Sequence, residues 1–153
     1  MRLNPIVREV SDLLMPAILL FAVYVQLHGD YGPGGGFQAG VIFAAGVILY
    51  ALVYGLERAQ EMMKPHRIKI FTAVGVLLYA GVGVVTMFKG GNYLDYNHLA
   101  HDLTDHHAIV KAQEHGILLV ELGVGITVAS VMIALFYSFA GHQRPFYTFS
   151  KKS

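Results

Sequence analysis

The chain has 153 residues, 55% of them hydrophobic and 14% charged, with a formal net charge of +1 and no cysteine. The lack of cysteine excludes disulfides, thiolate metal sites and a cysteine nucleophile, and no nucleic acid partner is expected of so balanced a charge. The apolar residues fall in four blocks, Val10 to Leu27, Ala39 to Leu56, Ile70 to Phe88 and Gly116 to Ala140, each about as long as the roughly 20 residues a helix needs to cross a bilayer core. The expected fold is therefore all-α, one integral membrane bundle of four transmembrane helices spanning residues 1–153, with no room for a soluble domain of useful size.

Asn4 and Pro5 form a plausible helix start, a capping residue followed by proline at the first helical position. Arg2 and Arg8 ahead of an apolar run resemble a secretory signal, but no small-x-small cleavage site follows Leu27, so the segment reads as a retained first span. Pro16 sits inside that helix, where it should bend the axis and free a carbonyl one turn back, near Asp12.

The chain then enters Leu27-His28-Gly29-Asp30-Tyr31-Gly32-Pro33-Gly34-Gly35-Gly36-Phe37-Gln38-Ala39-Gly40. Four glycines and a proline within residues 32–36 cannot continue a helix. A flexible linker would be polar throughout, whereas this turn runs from one apolar block straight into the next, which points to a tight, shaped re-entry. Successive glycine amides can form an anion-binding nest, but no Gly-Lys-Ser or Gly-Lys-Thr follows, so a nucleotide loop is not expected. The favoured reading is structural: Pro33, Gly34, Gly35 and Gly36 allow close backbone packing and Phe37 anchors the turn. His28 and Asp30 sit where water meets the bundle, and both a structural and an ion-handling role are open for them.

Gly40 and Ala44 lie four apart on the second span, a spacing that lets another helix approach closely where lipid supplies no hydrophobic drive. Gly75, Gly81 and Gly83 on the third span and Gly116, Gly123 and Gly125 on the fourth offer similar faces. Four spans have too little internal surface to occupy them all, which favours partner subunits. Tyr50, Tyr54, Phe88, Tyr93, Tyr96, Phe136, Tyr137 and Phe139 fall near the ends of the spans and read as interfacial belt anchors.

Glu121 is the most informative single residue. It lies five residues into the fourth block, about 7.5 Å below its start at helical rise, among Leu118, Leu119, Val120 and Leu122. An ionisable residue at such depth is costly and normally faces a bundle interior or a wet cavity. Glu114 is seven residues earlier on nearly the same face, and His115 flanks it at the membrane edge, so a path through Glu114 or His115 to Glu121 could pass protons or attract a sodium ion. The plainer reading has Glu121 bonded to a neighbouring helix end, neutral or paired with a lysine such as Lys89.

Between the third and fourth blocks stand His98, His101, His106 and His107, with Asp95, Asp102 and Asp105. Some could share a helical face with His115 as metal ligands, but the spacing matches no specific zinc pattern. No metal site is assigned. No histidine lies deep in a predicted span, so paired axial ligands for haem are lacking, and no cofactor is expected. Nine of the eleven lysines and arginines fall on one side if both termini are cytoplasmic, the distribution the positive-inside rule favours. That orientation places the glycine turn and the 89–113 loop outside.

Pro33-Gly34-Gly35-Gly36-Phe37 with Gln38-Ala39-Gly40 resembles the Pro-Gly-Gly-Gly-Phe-x-Gly-Gly signature of the MnhB (MrpB) family, small subunits of the multisubunit Mrp-type sodium/proton antiporters. His115-Gly116-Ile117-Leu118-Leu119-Val120-Glu121-Leu122-Gly123-Val124 is similar to the last-span signature of the same family, in which an acidic residue precedes Leu-Gly-Val. The resemblance covers essentially the whole chain, although Ala39 replaces the first glycine of the closing pair and His28 precedes the proline motif in an unusual order. It implies a small, multi-pass subunit in a bacterial cytoplasmic membrane, assembled with large antiporter-like subunits and other small ones in a complex where proton entry drives sodium export. Such a subunit is a transporter component rather than an enzyme and has no activity alone. Related modules occur in membrane-bound hydrogenase and sulfane reductase complexes, and a purely structural scaffold is the third reading.

Overall fold

The computed structural model describes residues 5–29, 35–99 and 106–142, with the side chains of residues 108 and 142 excepted. Asp30, Pro33 and Gly34, together with His101, Asp102 and Asp105, lie outside the described residues. The described residues form five α-helices: α1 Pro5–Leu27, α2 Gly36–Tyr54, α3 Leu56–Met62, α4 Pro65–Phe88 and α5 His106–His142. A 3-10 turn, Tyr96–Leu99, lies in the segment between α4 and α5. Helices α1, α2, α4 and α5 are each long and apolar enough to span a membrane. The expected four spans are present.

Their boundaries differ from the hydropathy blocks in one consistent way. Helix α1 starts at Pro5, α4 at Pro65 and α5 at His106, five to ten residues ahead of the apolar runs, because the opening turns are polar and carry no hydropathy signal. At 37 residues, α5 is about 55 Å long and exceeds a core of roughly 30 Å. Its first turns, with exposed His106, His107, Lys111, Glu114 and His115, extend the helix beyond the apolar run. The histidines from 106 onward are thus helical, not part of a loop reaching Gln113.

The second span also ends earlier than Leu56. Gly55 adopts φ 96°, ψ 153°, a conformation costly for a residue with a Cβ, and the chain turns there into the short α3. Proline at the first helical position then starts α4, with Lys64 extended as its cap.

The spans pack in a row in which α2 and α5 run parallel, the start of α2 meeting Glu121 and Gly125 and its later turns clustering with Ile133 and Tyr137. Helix α1 packs on α2, α2 on α5 and α5 on α4, while α1 and α5 touch only lightly. Helix α1 is the most exposed, with 11% of its span buried against 44% for α2. The apolar core gathers at the end of the row where α2 finishes and α4 begins: Ala44, Val47, Ala51, Ala59, Ile68, Ile133 and Tyr137. Tyr137 is a correction to the belt reading, since its ring is buried and its hydroxyl donates to the Ala59 carbonyl at 2.9 Å. The same carbonyl accepts from the Met63 amide at 2.8 Å, and the added Tyr137 bond ties α3 to α5.

Most of the small residues are packed against other helices or rings of the chain itself. A Cβ on Gly40 would fall 2.6 Å from the Gly125 carbonyl oxygen, one on Gly123 2.9 Å from that of Gly75, and one on Gly116 2.6 Å from the Tyr96 ring. Gly83 is covered by the Tyr93 ring, while Gly81 faces open space. The segment after α4 is held by buried Thr86, whose hydroxyl lies 2.7 Å from the Gly83 carbonyl and 3.0 Å from that of Asn92, and accepts from the Leu94 amide at 3.1 Å.

Replacing Tyr137 by Phe removes the bond to Ala59, whose carbonyl keeps the Met63 amide as a partner, an expected loss of about 0.5 to 1.5 kcal/mol. Ile133→Ala, which empties a fully buried site, should cost about 2 to 5 kcal/mol. Both losses are read as a lowered unfolding midpoint of the detergent-solubilised protein, with Ile133→Ala the larger.

Candidate functional site

The end of α1, the start of α2 and one turn of α5 meet around Glu121. Helix α2 begins after Gly35 at φ 106°, an N-cap residue that supplies no side-chain hydrogen bond, and its first amides have no intrahelical acceptor. The Glu121 carboxyl lies against this terminus. A Cβ added to Gly29 would fall 2.7 Å from Oε1 and one added to Gly35 2.9 Å from the same atom, while one added to Gly36 would overlap the Glu121 main chain. Only glycines at these positions admit the carboxyl and the α5 backbone together.

The electrostatic consequence follows from the helix. The positive end of the 19-residue α2 favours an anion placed at its first turn, and the half-buried setting of Glu121 reduces screening by water. A carboxylate is thereby retained beside an apolar bundle at lower cost than at an isolated position on a span.

Helical geometry explains how α5 supplies the group. Glu121 and Gly125 are four apart and share a face, and Gly125 packs 3.2 Å from the Gly36 carbonyl oxygen by its virtual Cβ. Gly123 lies about 200° around the helix from Gly125 and faces α4 through Gly75 and Tyr79. The sequence Glu121-Leu122-Gly123-Val124-Gly125 therefore seats α5 between two helices and turns the carboxylate toward α2.

The other expected residues distribute unevenly. His28 adjoins Gly29 and is exposed, its ring stacked on Tyr24 at 4.2 Å between centroids. Glu114 and His115 are exposed two turns before Glu121, at the same end of the molecule, and His115 Nδ1 lies 2.6 Å from the Lys111 carbonyl oxygen. Lys89 is at this end too, but its Nζ donates to the Leu99 carbonyl at 3.1 Å, so it holds the segment after α4 instead of Glu121. Phe37 does not anchor the turn within this chain. It is 63% exposed, because the α2 face that meets α5 is the one bearing Gly36 and Gly40.

Asp12 belongs to the opposite end. It lies 17 residues before Gly29, about 25 Å along the helix axis, accepts a hydrogen bond from the Tyr54 hydroxyl, and shares Tyr54 with Arg8, whose guanidinium sits 5.5 Å above the ring. This cluster ties α1 to the end of α2. Among the described residues no three acidic or histidine side chains come together as a metal site. His98 instead pairs with Asp95, Nδ1 to Oδ2 at 3.1 Å.

Gln26 was missed in the sequence and belongs to the site. Its Oε1 lies 2.6 Å from the virtual Cβ of Gly125, and its Nε2 is buried with no partner among the described residues. It lines a groove of about 310 Å³ between α1, α2 and α5, walled by Phe43, Leu122 and Ile126. A polar amide flanked by Val25 and Leu27 at the end of an apolar span is the signal that could have found it, since such groups act as interhelical hydrogen-bonding residues in membranes.

Comparison with known proteins connects this arrangement to a family. The model of a domain related to the MnhB subunit of Na+/H+ antiporter matches residues 6–145. Proteins of Staphylococcus aureus strains Newman, JH1 and Mu3, each named "Putative antiporter subunit mnhB2", are 31% identical over 138 residues, covering 89% of this chain and 94% of theirs.

The packing around Glu121 predicts which glycines tolerate a methyl group. Gly36→Ala should cost about 1 to 3 kcal/mol through overpacking against the α5 backbone and sharply reduce accumulation of the folded protein in membranes. Gly141→Ala, whose Cβ meets nothing within 4 Å, should accumulate as the native protein does. Quantitative immunoblots of membranes carrying each variant provide the comparison.

Proposed function

The chain belongs to the family of the MnhB subunit of Na+/H+ antiporters and is a small, multi-pass membrane subunit of such a multisubunit antiporter, and we propose that within it Glu121 is a carboxylate on the ion path. One observation carries the reading. The two motifs of the chain, the glycine turn and the Glu-Leu-Gly-Val segment, are 85 residues apart between Gly36 and Glu121 and meet at one carboxylate set at a helix N-terminus.

A carboxylate so placed can exchange a proton or attract a sodium ion, because the helix end favours its charged form while the apolar surroundings favour the neutral one. Glu114, His115, His28 and Asp30 supply the approach from the polar end of the molecule. Lys89 serves the adjoining segment and Asp12 the opposite end, so both are placed off this approach. The partners are large antiporter-like subunits that carry the principal proton channels, together with the other small subunits. This subunit contributes no enzymatic chemistry of its own.

The test is sodium-dependent proton flux in everted membrane vesicles carrying the whole complex. Glu121→Gln preserves the shape of the site and removes its charge, so the complex should assemble and flux should be lost. Normal flux from an assembled Glu121→Gln complex would refute the ion role and leave the glycine contacts as scaffold packing.

A further inference from the structure

A second feature lies at the other end of the molecule, on the outer side of the α4–α5 pair. A groove of about 740 Å³ runs between these helices, lined by Thr72, Ala73, Val76, Leu77, Val131 and Leu135, with Lys69 at its mouth. The hydroxyls bordering it add little polarity, because Thr72 Oγ1 donates to the Ile68 carbonyl at 3.0 Å and Ser138 Oγ to that of Ala134 at 2.9 Å. From Lys69 to Leu77 is eight residues, about 12 Å along α4. Half of a core of roughly 30 Å is about 15 Å, so the groove runs from one membrane surface to near the midplane, the depth of a single leaflet.

The mouth is strongly cationic. Lys64-Pro65-His66-Arg67-Ile68-Lys69 carries three fixed positive charges and no acid, at the start of the 24-residue α4, the positive end of that helix. Lys69 is exposed and has no carboxylate partner among the described residues. An apolar slot one leaflet deep that opens on unpaired lysine and arginine complements a molecule with an apolar chain and an anionic head. We propose that this groove binds one anionic phospholipid, its acyl chain between α4 and α5 and its phosphate on Lys69. Basic pockets between transmembrane helices recognise acidic headgroups in this way.

The assembled, detergent-purified complex is titrated with phosphatidylglycerol and, separately, with phosphatidylcholine of the same acyl composition, and bound lipid is counted by native mass spectrometry. The native complex should retain phosphatidylglycerol in preference. Lys69→Gln should weaken the uptake of one phosphatidylglycerol about fivefold, the effect of one lysine near an acidic headgroup, and Lys69→Arg should restore it. Ala73→Phe fills the slot without altering the charge and should remove the same molecule. Equal uptake of the two lipids by the native complex, or unchanged uptake in both Lys69→Gln and Ala73→Phe, overturns the proposal. A photo-cross-linker at position 73 supplies an independent readout: capture of lipid supports the assignment, and capture of a neighbouring polypeptide overturns it in favour of a subunit contact.

Discussion

Everything in this molecule depends on how closely α5 can approach its two neighbours. In lipid, apolar side chains gain nothing by leaving one hydrocarbon surface for another, so association rests on dispersion between well-packed atoms and on interhelical polar contacts. Glycine brings main chains together, and α5 uses it on both sides: Gly125 toward Gly36 and Gly40 of α2, Gly123 toward Gly75 of α4. Because these two positions lie on opposite faces of one helix turn, the same short segment fixes the order of the row. Larger residues there would push the helices apart and open the site as a side effect.

The site is a by-product of that packing in a literal sense. Once Gly36 lies against the Glu121 backbone, the Glu121 side chain has the first turn of α2 beside it, and α2 has no side-chain cap of its own. A Ser or Asp at the cap would satisfy those amides locally and compete with the carboxylate. The glycine-rich turn therefore has two linked effects, admitting the α5 backbone and leaving the helix end to an anion contributed from another helix.

The number and order of spans were legible in the sequence because hydropathy is a local property. Boundaries were less so: Asn4-Pro5 marked the start of α1, but the opening turns of α4 and α5 are polar, and α3 is marked only by a glycine whose positive φ no apolar pattern announces. Glu121 stood out as a charge among leucines, and the glycine turn stood out by composition, but nothing in either stretch states that they touch. That fact belongs to the packing, in which α2 and α5 run parallel with the start of α2 beside a turn deep in α5. Tyr137 and Gln26 were misjudged or missed for a related reason. A tyrosine near a span end and a glutamine at another look interfacial in one dimension, and only the packing of α3 and of Gly125 makes them buried.

The distribution of polar groups along the row constrains any ion route. Glu121, Glu114, His115 and His28 are gathered at the glycine-turn end, while Asp12, Tyr54 and Arg8 occupy the other, about 25 Å away along α1. Between them the buried faces are Ala22, Ala39, Ala44, Val47 and Ala51, and the hydroxyls of Thr127 and Ser130 donate to carbonyls of their own helix, at 2.8 and 2.7 Å. The described residues between the two ends thus offer no chain of exchangeable groups through which a proton or sodium ion could cross. On the proposed role, Glu121 serves only the half of the membrane nearest the glycine turn, and the remaining half of the route must be supplied by a neighbouring subunit. An isolated chain would be silent in transport for that physical reason.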